Sequence, residues 1–80
     1  MSVLEQVIHV VAETLNVSPS TITRESTAEN TNGWDSLAHV NLMIAIEQTF
    51  DIALDVEDFA KLNSIQSITK FIEKMQPDQA

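Results

Sequence analysis

The apolar residues of this chain recur at helical spacing in several separate stretches. In the first stretch they repeat every three or four positions, which predicts a helix over residues 3–15 that buries one face. Ser2 and Glu5 form a capping-box pattern at its start, and Asn16 can adopt the left-handed conformation that ends a helix. The predicted buried face consists of Val3, Leu4, Val7, Ile8, Val11 and Leu15.

Two further helices are predicted near the C-terminus. Ser64 is a suitable cap for a helix over residues 65–75, and a brief helix over residues 56–62 precedes it. A helix of about two turns is not stable alone, so the shorter one must depend on tertiary packing. The residues expected to pack inward are Val56, Phe59, Ala60 and Leu62 in the shorter helix and Ile65, Ile68, Phe71, Ile72 and Met75 in the longer one.

The most apolar run of the chain predicts one more helix, over residues 36–50, which is the second in chain order. At about 100° per residue its apolar side chains fall into two groups instead of one. The first group forms a core arc of Leu42, Met43, Ile46 and Phe50, and the second forms a stripe of Leu37, Val40 and Ile44 on the side of Ser36. Either this helix is buried on all sides, or the second stripe is a surface for partners.

Residues 17–34 have no sustained period and are rich in serine, threonine and asparagine, which predicts a long loop. Ser18 and Pro19 are suited to open a short turn within it. A loop of this length is uncommon in a compact domain unless it is functional. We therefore expect one all-α domain over residues 1–80, with four helices, a long loop between the first and second, and a short third helix.

The charge of the chain restricts the class of partner. Its 80 residues include 12 acids and four lysines or arginines, for a net charge of −8. This charge repels phosphate backbones and anionic membrane surfaces, so basic protein surfaces are the expected partners and nucleic acid is not. Six acids lie between residues 35 and 58, where there is no lysine or arginine: Asp35, Glu47, Asp51, Asp55, Glu57 and Asp58.

Other classes of site have no sequence signal. There is no cysteine, and no histidines or carboxylates have the spacing of metal ligands. No apolar run approaches the roughly 20 residues that span a bilayer, and the N-terminus has no basic region followed by an apolar core. We expect a cytoplasmic monomer that binds no metal and does not insert into a membrane.

A single serine occupies the junction between the long loop and the second helix. Asp35 is a good N-cap residue, which leaves the hydroxyl of Ser36 unused at the first helical position. Asp-Ser before an apolar run is often only a helix start, but a phosphate ester on Ser36 would be favoured there by roughly 0.3–1 kcal/mol through the helix macrodipole. His39 falls on the core arc. We do not expect a Ser36–His39 catalytic pair, because no orienting acid or oxyanion hole can be identified.

The run Gly33-Trp34-Asp35-Ser36-Leu37, followed by a helix in a small acidic chain, resembles the acyl carrier protein family. The similarity continues through residues 47–52 and extends from residue 3 to about residue 75. The resemblance implies a four-helix bundle in which 4′-phosphopantetheine from coenzyme A is attached to Ser36 of the Asp-Ser-Leu motif. It also implies a carrier that holds acyl intermediates as thioesters on this arm and is not itself an enzyme.

The resemblance also implies partners. A phosphopantetheinyl transferase would modify the protein, and acyl or aminoacyl ligases, synthases and transferases would use it. The family docks such enzymes on the stripe of the second helix, so the expected contacts are Leu37, Val40, Ile44 and Glu47. The matching aspartate, Asp35, would help hold the metal bound by the transferase.

Some residues depart from the commonest fatty-acid carriers. Trp34 stands where the family often has a smaller residue, and the second helix has uncharged residues where such carriers often have acids: Ala38, Asn41 and Gln48. These differences favour a specialised pathway, such as polyketide, nonribosomal peptide, lipid or polysaccharide biosynthesis. An aminoacyl or D-alanyl carrier of the same fold, and a helical interaction adaptor without an arm, are the alternatives.

Overall fold

The computed structural model describes residues 2–75, within which the chain forms four α-helices and no strand. The helices are α1 (Val3–Leu15), α2 (Ser36–Phe50), α3 (Val56–Lys61) and α4 (Ile65–Met75), and a short 3₁₀ helix (Pro19–Thr21) lies in the α1–α2 loop. This arrangement confirms the predicted all-α fold with its long loop and short third helix. The assignment of residues 1–80 to one domain stays a prediction, because residues 1 and 76–80 lie outside the described part.

The ends of α1 and α4 are set by local hydrogen bonds. The Oγ of Ser2 accepts the N–H of Glu5 at 3.2 Å, and Oε1 of Glu5 accepts the N–H of Ser2 at 3.1 Å. Ser64 caps α4 in the same way, since its Oγ accepts the N–H of Ser67 at 3.1 Å. Asn16 ends α1 in the left-handed region, with φ 58° and ψ 47°, which asparagine tolerates better than most residues.

The hydrophobic core lies between α1, α2 and α4, and α1 contacts both of the other helices. Because it packs against two neighbours, its buried face is wider than predicted and extends to Val10 on one flank and to Ala12 on the other. Leu4, Ile8 and Leu15 are only partly buried. Burying one large aliphatic side chain is worth roughly 1.5–3 kcal/mol. The largest fully buried side chains are Val7, Val11, Leu42, Met43, Ile46, Ile65, Ile68 and Ile72.

The α1–α2 loop is attached to the connection between α3 and α4. The N–H of Ala28 donates to the carbonyl of Asn63 at 2.9 Å, and the N–H of Ile65 donates to the carbonyl of Ser26 at 3.0 Å. Ile22 and Trp34, at opposite ends of the loop, are buried in the core. The loop therefore packs on one side of the bundle, and these contacts fix its conformation up to the start of α2.

The predictions for the C-terminal half need correction at three residues and at the end of the third helix. Val56 was expected to pack inward but is 86% exposed, and Ala60 is also exposed. The reason is that α3 packs chiefly on α2, which leaves its first turn uncovered. The helix ends at Lys61, and Leu62, just beyond it, is buried. Met75 is half exposed because it occupies the last turn of α4.

Candidate functional site

Ser36 is the first residue of α2, and Asp35 determines its surroundings. Oδ1 of Asp35 accepts the N–H of Ala38 at 2.8 Å, and the carbonyl of Asp35 accepts the N–H of His39 at 2.8 Å. The cap is therefore supplied entirely by Asp35. Ser36 is exposed, and its hydroxyl makes no hydrogen bond with any part of the chain that the structure describes. This arrangement leaves a free hydroxyl at a rigid helix start.

The backbone N–H groups of Ser36 and Leu37 also have no protein acceptor among residues 2–75. They belong to the first turn of a 15-residue helix, where N–H groups have no intrahelical partner and the macrodipole is positive. Together with the free hydroxyl, these donors make the site suited to an anionic group linked through the serine oxygen.

A turn at Gly33 brings the loop into α2. Gly33 has φ +88°, a conformation that L side chains rarely adopt, and the N–H of Trp34 closes the turn on the carbonyl of Thr31 at 3.3 Å. A Cβ at Gly33 would meet no atom within 4 Å, so the glycine is required by its backbone conformation and not by lack of space. The turn directs the Trp34 side chain into the core and leaves Asp35 and Ser36 at the surface.

Trp34 and His39 form the inner wall of the site. The indole N–H of Trp34 donates to Nδ1 of His39 at 3.0 Å, and Nε2 of His39 lies 2.6 Å from the carbonyl oxygen of Phe59 in α3. The two rings are stacked, with centroids 6.2 Å apart and 29° between their planes. Both ring nitrogens of His39 are thus engaged away from Ser36, and His39 is not arranged as a base for the Ser36 hydroxyl. The sequence placed His39 near the core but did not indicate this bridge.

An open groove of about 390 Å³ lies beside the serine. One side of the groove is formed by residues of the loop and the start of α2, and the other side by α3 and Asn63. The groove is lined by Ala28, Trp34, Asp35, Ser36, His39, Phe59, Ala60 and Asn63. Within residues 2–75, no group of three or more His, Cys, Asp or Glu side chains is placed to hold a metal ion.

The prediction that α2 has two apolar faces is confirmed by side-chain exposure. Leu42, Met43 and Ile46 are fully buried, and Phe50 is nearly so. The stripe next to Ser36 is exposed: Leu37 by 73%, Val40 by 43% and Ile44 by 45%. The structure adds the exposed Val56 of α3 to the apolar surface of the molecule. An α2 buried on all sides is excluded.

Glu47 is not a free acid at the edge of this stripe. It is only partly exposed, and its Oε2 accepts the N–H of Leu54 at 2.8 Å. The carbonyl of Glu47 also accepts the N–H of Ile52 at 3.1 Å, and Asp51 ends the helix in the left-handed region. Glu47 therefore shapes the connection from α2 to α3. Its side chain has less freedom to meet a partner than the sequence suggested.

Similarity to known proteins agrees with this geometry. The family described as phosphopantetheine attachment site matches residues 5–72. The acyl carrier protein of Campylobacter concisus (strain 13826) is 39% identical over 75 residues, which cover 94% of this chain and 97% of that protein. Members of this family bear 4′-phosphopantetheine covalently and act with partner enzymes such as synthases and transferases, without catalysing a reaction themselves. The chain therefore belongs to the acyl carrier protein family, with a phosphopantetheine attachment domain that spans most of its length.

Proposed function

We propose that Ser36 is the residue that carries the phosphopantetheine arm, and that the protein holds acyl intermediates on it for a specialised biosynthetic pathway. The observation that supports Ser36 best is its free, exposed hydroxyl at a helix start that Asp35 already caps. When attached, the group supplies a flexible arm and a terminal thiol that holds acyl groups as thioesters. The arm would raise the effective concentration of the acyl group at each docked enzyme.

The residues around Ser36 fit a phosphodiester. The N–H groups of Ser36 and Leu37 can donate to its oxygens, and the helix terminus favours negative charge by roughly 0.3–1 kcal/mol. Asp35 is occupied with the N–H of Ala38, so it does not compete for the Ser36 hydroxyl. Leu37 is 73% exposed and has room to move aside for a bulky substituent.

The attachment site can be tested by intact mass spectrometry. Incubation with coenzyme A, Mg²⁺ and a broad-specificity phosphopantetheinyl transferase should add one phosphopantetheine group to the parent protein. Ser36→Ala should remain unmodified and folded, because it removes only an unpaired hydroxyl at the surface. Ser20→Ala, which changes another exposed serine next to a helix start, is the matched control and should be fully modified. Modification of Ser36→Ala would show that another residue carries the arm.

The surface of α2 supports the proposal of a specialised pathway. Glu47 is the only charged residue in α2, and its carboxylate is hydrogen-bonded to Leu54. Partner enzymes therefore meet mainly the apolar side chains Leu37, Val40 and Ile44 next to Ser36. An enzyme that selects carriers by an acidic helix would find little to recognise here. We infer that the cognate ligases, synthases and transferases read this apolar stripe.

Loading assays can separate acyl from aminoacyl cargo. The modified protein would be offered to acyl-activating, aminoacyl-activating and D-alanyl-activating ligases at equal concentrations, with the mass of the product as readout. Acylation with kcat/KM well above that for both amino-acid classes is the expected result. Preferred loading of an amino acid would instead establish the alternative carrier class, and it would leave the assignment of Ser36 intact.

A further inference from the structure

His39 is held between a group that only donates and a group that only accepts. The indole N–H of Trp34 has no lone pair to offer, so Nδ1 of His39 must be the acceptor in their 3.0 Å contact. The carbonyl of Phe59 has no proton to offer, so Nε2 must donate across their 2.6 Å contact. Both bonds form together only when the imidazole is neutral and carries its proton on Nε2.

These two bonds join three separate parts of the site. Trp34 belongs to the loop and directly precedes Asp35 and Ser36, His39 lies in the second turn of α2, and Phe59 belongs to α3. The same three residues line the groove beside Ser36. Trp34 is only 4% exposed, so its N–H has no ready access to water as a substitute acceptor. His39 therefore joins the loop and α3 to the start of α2.

Protonation of His39 would break one of the two bonds. An imidazolium has an N–H at both nitrogens, so it can still donate to Phe59 but cannot accept from Trp34. The buried indole N–H would then lose its partner, which is unfavourable and drives Trp34 to move. Among residues 2–75, Asp35 is the only other titratable residue that lines the groove, and the residues contributed by α3 and the segment after it are uncharged: Phe59, Ala60 and Asn63.

We propose that His39 is a proton-sensitive positioning residue for Ser36. In its neutral form it fixes Trp34, and through Trp34 the Asp35-Ser36 segment, in the geometry that a phosphopantetheinyl transferase meets. When it is charged, Trp34 is released, the groove beside Ser36 widens and the serine is presented less well. The effect on transfer rests on the proposed attachment at Ser36, whereas the release of Trp34 does not.

The tautomer and the release of Trp34 can be measured on the unmodified protein. Nitrogen-15 spectra of the imidazoles should show His39 with its proton on Nε2 at pH 8, and His9, which is exposed on α1, serves as the internal reference. Trp34 is the only tryptophan, so its emission maximum reports on this one side chain. When the same spectra show that His39 has gained a second proton, the emission should shift to longer wavelength, and a proton gained by His9 alone should leave it unchanged. A proton on Nδ1, or a Trp34 signal that ignores the charge on His39, would overturn the proposal.

His39→Gln supplies the matched variant. Glutamine can accept from Trp34 through its oxygen and donate to Phe59 through its nitrogen, but it does not titrate. Its Trp34 emission should therefore stay unchanged under the acidic conditions that shift the emission of the parent. If this variant does not fold, Trp34→Phe takes its place in the transfer assay below, because it removes the donor that responds to the charge on His39.

The functional consequence is measured by comparing kcat/KM for the parent protein and the variant with the same transferase. At each pH, kcat/KM for transfer to the parent protein is divided by kcat/KM for the variant, which cancels the pH dependence of the transferase itself. We expect this ratio to fall several-fold as His39 becomes charged, with the change mainly in KM because presentation of Ser36 is altered and not the chemistry. A ratio that stays flat would refute the positioning role, even if Ser36 is modified normally. If Ser36 were not the attachment site, the tautomer and the Trp34 emission would still decide whether the charge on His39 releases Trp34.

Discussion

Asp35 holds the first turn of α2 through its side chain, whose Oδ1 accepts the N–H of Ala38 at 2.8 Å. Replacing it with alanine leaves this N–H without a partner at the exposed helix start. We predict that Asp35→Ala lowers the free energy of unfolding by about 1 kcal/mol, the usual value of an N-cap. Urea titration followed by circular dichroism measures this difference.

Asp35→Asn is the control for that substitution. Asparagine is an equally good N-cap, so this variant should keep the stability of the parent within a few tenths of a kcal/mol. If both variants are modified more slowly by the transferase, the lost charge is responsible, and not the lost cap. Asp35→Ala with parent stability would mean that the Ala38 N–H finds another acceptor and that the Asp35 cap contributes little to folding.

Single residues were predictable from the sequence where their partners are close in the chain. The caps at Ser2, Asp35 and Ser64 each involve a backbone N–H three residues further on, so local spacing alone indicates them. The bridge from His39 reaches a carbonyl oxygen 20 residues away, and a backbone carbonyl has no signature in the sequence. The functional assignment of Ser36 came from a motif and stays a prediction until modification is tested.

At the scale of elements, α2 offers a direct comparison between its two faces. Ile44 is 45% exposed and Ile46 is fully buried, although both are isoleucines in the middle of the same helix. We predict that Ile44→Ala costs less than about 1 kcal/mol of unfolding free energy, because much of the side chain contacts water in both states. Ile46→Ala should cost roughly 2–5 kcal/mol, as expected for a large-to-alanine change in a core. Denaturant unfolding of the two variants measures both values.

The affinity of Ile44→Ala for a transferase or a ligase tests the function of the stripe. We expect it to bind more weakly by about 1 kcal/mol or more if the contact is well desolvated, and Val40→Ala to behave similarly. Both losses should depend little on salt, because α2 carries no charge except the hydrogen-bonded Glu47. A large loss of stability in Ile44→Ala would place this residue in the core, and unchanged affinity would move the docking surface elsewhere.

The elements differ in how far periodicity alone could predict them. α1 and α4 have one apolar stripe each, and α2 has two, so the period of each indicated both a helix and its faces. α3 has only six residues, too few for a period to show which side is covered, and Val56 was placed inward wrongly. The loop has almost no period, and its order comes from long-range hydrogen bonds to residues 63–65.

At the scale of the whole molecule, the acidic residues have few compensating charges. The chain has a net charge of −8, and in the part that the structure describes no lysine or arginine forms an ion pair with an acid. The molecule measures 32 × 27 × 19 Å. Because charges interact over about 30 Å at 0.01 M ionic strength but only about 8 Å at 0.15 M, low salt lets acids across the entire fold repel one another.

We predict that added salt stabilises the protein at neutral pH. If screening is worth about 1 kcal/mol, the melting temperature should rise by roughly 4–8 °C between low and physiological ionic strength, as measured by calorimetry or circular dichroism. Asp51→Asn is a suitable control, because asparagine accepts the left-handed conformation of Asp51 while removing one charge from the acidic segment. This variant should exceed the parent in stability at low salt and lose its advantage at high salt. A melting temperature that does not respond to salt would contradict this prediction. It would mean that solvent already screens the repulsion between the acids of residues 35–58, and that this repulsion does not lower the stability of the bundle.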